Sequence, residues 1–165
     1  QSCLFTYNCD AKTQMEYRKN VYQGYLSSAA PRSTSEVKFE KFCEHSDSVQ
    51  WWYKNGDKGN EYLSIVYEDN SNKQKLFYPD YIISVNDEIW IIETKGGESD
   101  SGSDDNIDKY AKKKFDALKE YARHHHINFG FVRNKNVDDV PRLFLNNTEY
   151  TDEMTDNWKR LENFF

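Results

Sequence analysis

The stretch Phe77-Tyr78-Pro79-Asp80-Tyr81-Ile82-Ile83-Ser84-Val85-Asn86-Asp87-Glu88-Ile89-Trp90-Ile91-Ile92-Glu93-Thr94-Lys95 decides the fold of this chain. Its β-branched and aromatic residues on either side of Asn86-Asp87 predict two antiparallel strands joined by a two-residue hairpin loop. With that loop Val85 faces Glu88, and the same register places Asp80 opposite Glu93. Opposed side chains share one face of a sheet, with Cβ atoms about 4.5–5.5 Å apart.

Lys95 completes this charged group, because side chains alternate along a strand and Lys95 therefore projects on the same side as Glu93. Two carboxylates inside an apolar hairpin are costly unless a cation or hydrogen bonds satisfy them. Magnesium is commonly held by one or two carboxylates, waters and substrate phosphate, so the pattern predicts a metal site. The alternative is an ion-paired hairpin surface, since Asp, Glu and Lys are common on solvated strand faces.

Pro79 favours the metal site over the ion-paired surface. A proline inside a strong strand removes a backbone donor, which predicts an edge, a bulge or a bend beside Asp80, where functional sites are often placed. Gly96 and Gly97 follow Lys95 directly and would let a ligand approach the backbone closely.

The pair Pro79-Asp80 with Glu93-Thr94-Lys95 resembles the PD-(D/E)XK nuclease signature. Longer phrases at residues 51–56, 77–81 and 91–96 are similar to the C-terminal endonuclease domain of type III restriction enzyme Res subunits and helicase-like restriction proteins. The resemblance covers most of residues 33–135. It implies a restriction-endonuclease-like α/β/α core with a mixed, mainly antiparallel central sheet flanked by helices.

The resemblance also implies a function, namely Mg²⁺-dependent cleavage of DNA phosphodiester bonds, with Mn²⁺ as a possible substitute. Double-stranded DNA would be the substrate, within a type III restriction-like system that includes a covalently linked helicase or translocase motor and a possible methyltransferase subunit. A catalytically inactive nuclease-like module, serving a helicase for DNA contact or docking, is the main alternative. A junction-resolving or repair nuclease of the same superfamily is a second one.

The resemblance assigns roles to individual residues. Asp80 and Glu93 would hold the metal, with the Thr94 carbonyl as a further ligand and Glu36 through a water molecule. Lys95 would position the attacking water or steady the developing charge.

Glu36 has a second interpretation that needs no metal. Residues 33–36 match the Ser-x-x-Glu capping box, which predicts a helix starting near Glu36. On that helix Glu36, Phe39, Glu40 and Cys43 share one face. The sequence alone leaves both roles of Glu36 open, because each uses a carboxylate in the first turn.

Length and composition indicate one folded domain, which fits the fragment of a larger protein that the resemblance implies. The chain has 165 residues, of which 37% are hydrophobic and 16% aromatic, enough for a real core. We expect an N-terminal helix and linker over residues 1–32 and the nuclease domain over residues 33–165. The chain has no Walker A sequence, so the expected motor lies outside it.

Charge is the strongest objection to a DNA-binding function. The net charge is −6, whereas binding to phosphates needs a basic surface. We therefore expect poor DNA binding by this chain alone. The sequence has no apolar run long enough to span a bilayer and no signal peptide pattern, and its three cysteines lack ligand spacing. These features predict a soluble cytoplasmic protein with reduced thiols and no membrane contact.

The remaining elements are predicted from the spacing of apolar residues and from residues that begin or end helices and strands. Strands over residues 48–53 and 61–68 would join the hairpin in an antiparallel meander, and at least one of Trp51, Trp52 and Tyr53 should be core. A first helix over residues 13–26, a helix from Asp105 or Asn106 to about Arg123, a parallel strand over residues 127–132, an edge strand over residues 142–145 and a final helix over residues 151–165 complete the fold.

Two lysines of the helix that ends near Arg123 are candidate nucleic-acid-binding residues, Lys112 and Lys114. Lys114 falls on the apolar side of the helix, so it is the better placed to reach the active face or a phosphate. The alternative for Lys114 is a side chain that extends along the surface to water. His124, His125 and His126 splay around the helix, and we expect them to stabilise its C-terminal end rather than to bind metal.

Overall fold

The structure is a computed structural model that describes residues 15–22, 26–27, 33–56, 61–96 and 108–165. Its helices are α1 (Thr34–His45) and α2 (Ala111–His125), followed near the C-terminus by a 3₁₀ turn (Leu161–Asn163). Its strands are β1 (Met15–Glu16), β2 (Leu26–Ser27), β3 (Val49–Lys54), β4 (Ile65–Glu68), β5 (Gln74–Phe77), β6 (Tyr81–Val85), β7 (Glu88–Lys95), β8 (Asn128–Val137), β9 (Val140–Asn146) and β10 (Lys159–Arg160).

The centre of the fold is a six-stranded sheet in the order β10-β9-β8-β7-β6-β3. Neighbouring strands are antiparallel except β7 and β8, which run parallel because α2 connects them as a crossover. This arrangement confirms the predicted α/β class with a mixed, mainly antiparallel sheet flanked by helices. The predicted parallel strand near residues 127–132 is also confirmed.

Each face of the sheet carries its own apolar core. On one face α1 packs through Phe39 and Cys43 against a cluster that includes Trp52, Tyr81 and Ile92. On the other face lie α2 and the β4–β5 hairpin, in a second cluster that includes Ile65, Ile91, Phe115, Leu118 and Phe131. Successive residues of β7 alternate between these two cores, so this strand is buried on both sides. Trp52 is fully buried, as predicted for at least one aromatic of β3.

The hairpin of β6 and β7 has the predicted register. Val85 pairs with Glu88 and Tyr81 with Ile92, and Asn86 and Asp87 have positive φ angles of 49° and 66°, as a tight hairpin turn requires. Extrapolated by one residue, this register places Asp80 opposite Glu93. Asp80 itself lies in a bend just before β6, and Pro79 lies in the break between β5 and β6, so the predicted bend is confirmed.

The predicted antiparallel meander is wrong. β4 pairs with β5 in a separate two-stranded sheet that packs on α2, and β3 lies directly beside β6. The break at Pro79 explains the difference, because it divides what the sequence presents as one strand into β5 and β6. A proline cannot donate a ladder hydrogen bond, so the sheet does not continue through it.

The predicted N-terminal helix is wrong over its described residues. β1 pairs with β2, and the segment between them contacts β3 through Trp52, whose N–H donates to Lys19 and whose carbonyl accepts from Val21. Tyr17 is buried beside the Trp52 ring. Pairing with the free edge of β3 thus replaces the local helical hydrogen bonds. The predicted start of this helix, at Thr13, lies outside the described residues.

The helix predicted over residues 151–165 is also wrong. Trp158 and Leu161 are buried, but the segment forms turns, β10 and the 3₁₀ turn. The indole N–H of Trp158 donates to the Thr151 carbonyl at 3.1 Å, which fixes a loop, and β10 covers the outer edge of β9. The strand predicted over residues 142–145 exists as β9 but is therefore not the edge.

The other long helix, α2, runs to His125 and begins later than predicted, at Ala111. The expected caps Asp105 and Asn106 lie outside the described residues. At its C-terminal end His126 adopts a left-handed conformation, and its N–H bonds to the Ala122 and Arg123 carbonyls. Within the described parts of the chain, we find no helix with the length and apolar character needed to cross a membrane.

Candidate active site

Asp80 lies between charged groups on the two faces of the sheet, and both of its carboxylate oxygens accept hydrogen bonds. Its Oδ2 accepts the main-chain N–H of Thr94 at 2.8 Å and the Thr94 hydroxyl at 2.6 Å. Its Oδ1 accepts from the Lys54 ammonium at 2.9 Å. Thr94 therefore orients the Asp80 carboxylate across the hairpin, and Lys54 holds it from β3.

On the α2 face, Asp80 adjoins a second group of charges. Lys95 Nζ lies 2.9 Å from Glu93 Oε1 and 3.5 Å from Asp108 Oδ2, and Lys114 contacts the same Asp108 oxygen. The negative charge of Asp80 acts on both Glu93 and Lys95. The structure thus brings together Asp80, Glu93 and Lys95 as predicted, and adds Lys114 through Asp108.

On the α1 face, Glu36 forms the predicted helix cap and also pairs with Lys54. The Ser33–Glu36 capping box is formed, with the Ser33 N–H donating to Glu36 Oε2 at 2.8 Å. The other oxygen, Oε1, lies 2.9 Å from Lys54 Nζ. Because Lys54 also binds Asp80, Glu36 is linked to the predicted metal ligands through an ammonium group rather than by direct approach.

Glu93 is the most perturbed acid of the site. Burial, reinforced by the nearby Asp80 carboxylate, raises the pKa of Glu93 from 4.5 to about 7, although Lys95 partly opposes the shift. Its Oε2 is buried and accepts no hydrogen bond from any residue that the structure describes. A buried carboxylate oxygen without a partner is the kind of feature that marks a functional position.

Two lysines of the site, Lys95 and Lys54, act as fixed cations. Burial alone would lower the pKa of Lys95, but Glu93, Asp108 and Asp80 together raise it above the usual value. Burial would likewise lower the pKa of Lys54, but Asp80 and Glu36 raise it above the usual value. Lys95 therefore remains protonated near neutral pH, which suits a role in positioning water or stabilising charge and not one as a general base.

The donor set fits a divalent cation at Asp80 and Glu93. An ionised carboxylate offers about four lone-pair positions, and here Glu93 Oε2 uses none and Asp80 Oδ1 uses only one. Magnesium requires few protein oxygens, since waters and phosphate complete its shell. Across the described ranges, three or more His, Cys, Asp or Glu side chains nowhere converge on a possible metal position, so the fit rests on these two carboxylates.

Sequence reasoning missed two members of the site, Lys54 and Asp108. Lys54 pairs with Tyr81 in the sheet and lies 4.7 Å from the centre of its ring, so the register of β3 on β6 carries it to Asp80. The expected meander places the strand over residues 61–68 beside β6, so it does not predict this register of β3. Asp108 was not predicted as a site residue because it precedes α2, in a segment that the sequence predicted to be helical.

Lys112 lies apart from this group. Its side chain is exposed on α2 and pairs with Asp116 one turn later, at 2.7 Å. Lys114, one turn from Tyr110, instead lies at 5.8 Å from the Tyr67 ring and pairs with Asp108. Of the two predicted nucleic-acid-binding lysines, only Lys114 is part of the charged site.

The end of β7 is anchored from both sides. The Ser35 hydroxyl donates to the Lys95 carbonyl at 2.8 Å from the first turn of α1. Arg133, which is buried and pairs with Lys95 in the parallel ladder, donates to the Gly96 carbonyl at 2.8 Å and to the Asp152 carbonyl at 2.6 Å. The backbone that carries Glu93 and Lys95 is therefore held in place by α1 and by the C-terminal segment.

We expect Lys54→Ala to lower the free energy of unfolding by about 1–3 kcal/mol at pH 7, because two half-buried carboxylates lose a shared charged donor. Lys54 also holds the pKa of Glu36 below its usual 4.5 against the effect of burial, so that pKa should rise in the variant. Urea unfolding and an NMR titration of Glu36 measure the two effects. Lys112→Ala is the matched control, since its exposed ion pair should contribute less than about 0.5 kcal/mol. Equal losses in both variants would contradict a linking role for Lys54.

The model of the YagJ family matches residues 23–165 of the chain. No curated protein and no solved structure matches it.

Proposed function

The chain belongs to the YagJ family, and from the geometry of its acidic site, formed by Asp80, Glu93 and Lys95, we propose that it is a metal-dependent endonuclease domain that hydrolyses DNA phosphodiester bonds. The observation that carries this proposal is the Glu93 carboxylate. It is buried beside Asp80, it has an oxygen without a partner among the described residues, and its pKa is raised to about 7. A divalent cation would offset the repulsion between the two carboxylates, give the Glu93 oxygen a partner and favour the ionised form of Glu93.

Asp80 and Glu93 would hold Mg²⁺ or Mn²⁺, with the Thr94 carbonyl and a water on Glu36 completing the protein's share of the site. When bound, the metal supplies Lewis acidity that polarises the phosphate and lowers the pKa of a bound water. The chain's own residues prepare this site. Thr94 fixes the orientation of Asp80, Lys54 holds Asp80 and Glu36 together, and Lys95 presents a permanent positive charge beside Glu93.

Lys95 is the proposed catalytic cation. Its ammonium group would orient the water for in-line attack and stabilise the charge that develops on the phosphate. The raised pKa of Lys95 supports this role, because the group keeps its proton throughout the neutral range. The wider setting that we propose is a type III restriction-like system in the cytoplasm. Its helicase or translocase motor, and a possible methyltransferase subunit, would supply most of the affinity for double-stranded DNA.

A second function has its own support. Three lysines, Lys54, Lys95 and Lys114, already partner the carboxylates of the site at short distances. Together with the net charge of −6, this internal pairing favours a nuclease-like module that contacts or docks within a helicase without cutting DNA. The two proposals differ in one measurable property, which is cleavage that depends on added metal.

The test uses the full chain with supercoiled plasmid DNA, in Mg²⁺, Mn²⁺, Ca²⁺ or EDTA. We expect nicking with Mg²⁺ and Mn²⁺ only, and a loss of at least about 100-fold in Lys95→Ala, as for removal of one charge-stabilising group. Lys112→Ala, which removes an exposed lysine outside the site, should cleave like the parent chain. Circular dichroism of each variant verifies that it is folded.

Two outcomes would overturn the nuclease proposal. Cleavage that is unchanged in Lys95→Ala would indicate a contaminant or remove Lys95 from the mechanism. A folded chain that cleaves with neither metal, and that shows no calorimetric signal with either, would favour the docking module.

A further inference from the structure

A second concave site lies on the α1 side of the molecule. It is a cleft of about 450 Å³ between α1 and β9, lined by Lys38, Lys41, Phe42 and His45 of α1 and by Arg142 and Leu143 of β9. None of these residues belongs to the acidic site. Its volume falls within the range of about 300–1,000 Å³ that is usual for small-ligand sites.

The rim of this cleft is positively charged. Lys38, Lys41 and His45 follow an i, i+3, i+7 spacing and so lie along one side of α1, facing Arg142 of β9. Glu162 also lines the cleft, where its carboxylate pairs with Arg160 and also interacts with the charge of Arg142, so that the cations outnumber it. Three permanent cations thus surround the opening in a chain whose net charge is −6. Such a local excess of one sign selects for an anionic ligand.

The floor of the cleft is apolar. Leu143 is 8% exposed and belongs to the α1-side core, and Phe42 is half-buried, with its ring centre 6.3 Å from that of Phe165. An aromatic ring that is held by a neighbouring ring offers a flat, preformed contact surface. The ligand that suits this cleft therefore combines a negative group with a flat apolar part.

We infer that the cleft between α1 and β9 binds a nucleotide, with its phosphate between Lys41 and Arg142 and its base against Phe42 and Leu143. A phosphate group matches the fork of an arginine and the point charge of a lysine. A base gains from contact with an aromatic ring without requiring a particular sequence. The nucleotide is either free or one unit of a single DNA strand, and the inference holds whether or not the acidic site cleaves DNA.

The experiment is an amide NMR titration of the full ¹⁵N-labelled chain, at low salt, with four probes: thymidine 5′-monophosphate, thymidine, inorganic phosphate and a five-residue oligothymidylate. We expect saturable shifts confined to residues around the cleft, with the monophosphate binding at least tenfold more tightly than thymidine or phosphate. Lys41→Glu and Arg142→Gln should each weaken this binding at least tenfold. Lys73→Glu, an exposed lysine on the β4–β5 turn, is the matched control and should leave it unchanged.

The outcomes separate the two sources of nucleotide. Equal affinity for the monophosphate and the oligothymidylate supports a site for a free nucleotide, whereas much tighter binding of the oligothymidylate supports contact with a DNA strand. Thymidine or phosphate binding as tightly as the monophosphate would overturn the inference, as would shifts that persist in both cleft variants. Binding of a Glu-rich peptide at the cleft without binding of any nucleotide would overturn it in favour of a protein partner.

Discussion

Glu93→Gln is expected to raise the free energy of unfolding at pH 8 by roughly 3 kcal/mol and to abolish cleavage. Folding raises the pKa of Glu93 from 4.5 to about 7, mainly through burial and then through the Asp80 charge. One pKa unit corresponds to about 1.4 kcal/mol, so ionising this group in the folded chain costs roughly 3 kcal/mol. A neutral glutamine avoids that cost, but it also removes a proposed metal ligand.

The sign of the pH dependence follows from proton binding. Between pH 4.5 and about 7 the folded chain keeps the Glu93 proton that the unfolded chain has released, so stability falls as the pH rises through this window and then levels off. Urea unfolding from pH 4 to pH 9 measures this fall in the parent chain. The Glu93 contribution to it should be absent in Glu93→Gln and present in the control Glu68→Gln, which changes an exposed residue of β4.

Divalent metal should also change the free energy of unfolding. At pH 8, Mg²⁺ should stabilise the parent chain, since a ligand of the folded state alone shifts the unfolding equilibrium. It should not stabilise Glu93→Gln. An identical pH profile in the parent and the variant would show that Glu93 ionises without penalty, and the main support for the proposed metal site would be lost.

Asp80→Asn is expected to reduce cleavage by about 1,000-fold while the fold is kept. Asparagine has nearly the same shape and its amide oxygen still accepts hydrogen bonds from Thr94, but the negative charge next to the proposed metal is lost. Losses of about 10²–10³ are typical when a single group that stabilises transition-state charge is removed. The amide also faces the Lys54 ammonium less favourably, so a small loss of stability should accompany the change.

A second measurement distinguishes this electrostatic role from a structural one. The Asp80 charge contributes to the raised pKa of Glu93, so that pKa should move down from about 7 in Asp80→Asn. Carbon-detected NMR titration of Glu93 follows this change directly. Asp139→Asn, on the exposed turn between β8 and β9, is the control and should alter neither cleavage nor the Glu93 pKa. An unmoved Glu93 pKa in Asp80→Asn would contradict the coupling of the two acids.

Local sequence rules predicted the β6–β7 hairpin well. The register of β6 and β7 follows from a two-residue turn at Asn86-Asp87, and the bend beside Asp80 follows from Pro79. Both are properties of a few adjacent residues, so no knowledge of distant contacts was needed. The capping box at Ser33 and Glu36 was readable for the same reason.

The elements that sequence reasoning missed depend on long-range pairing. The segment near Tyr17 has helical spacing, but its backbone bonds to Trp52 on the free edge of β3. The C-terminal segment has inward-facing Trp158 and Leu161 at near-helical spacing, yet it covers the edge of β9. In both cases an open sheet edge competes with local helix formation, and propensity alone does not reveal the edge.

The same limitation explains the incomplete prediction of the site. Asp80, Glu93 and Lys95 lie on one hairpin, so a short-range pattern was enough to associate them. Lys54 reaches Asp80 only because β3 pairs with β6, and Asp108 reaches Lys95 only because α2 returns over the sheet. When a site combines residues from both faces of a sheet, the sequence reveals only those residues that lie on one hairpin.

The placement of Asp80 between the α1 and α2 faces has a consequence during synthesis. Glu36, Lys54, Asp80, Glu93 and Lys95 leave the ribosome before Asp108, Lys114 and the strand β8 that flanks Glu93. A nascent chain that stops at Lys95 therefore carries the proposed ligands without the neighbours that bury them and shift their ionisation. The surroundings that raise the pKa of Glu93 are therefore complete only after α2 and β8 have been synthesised.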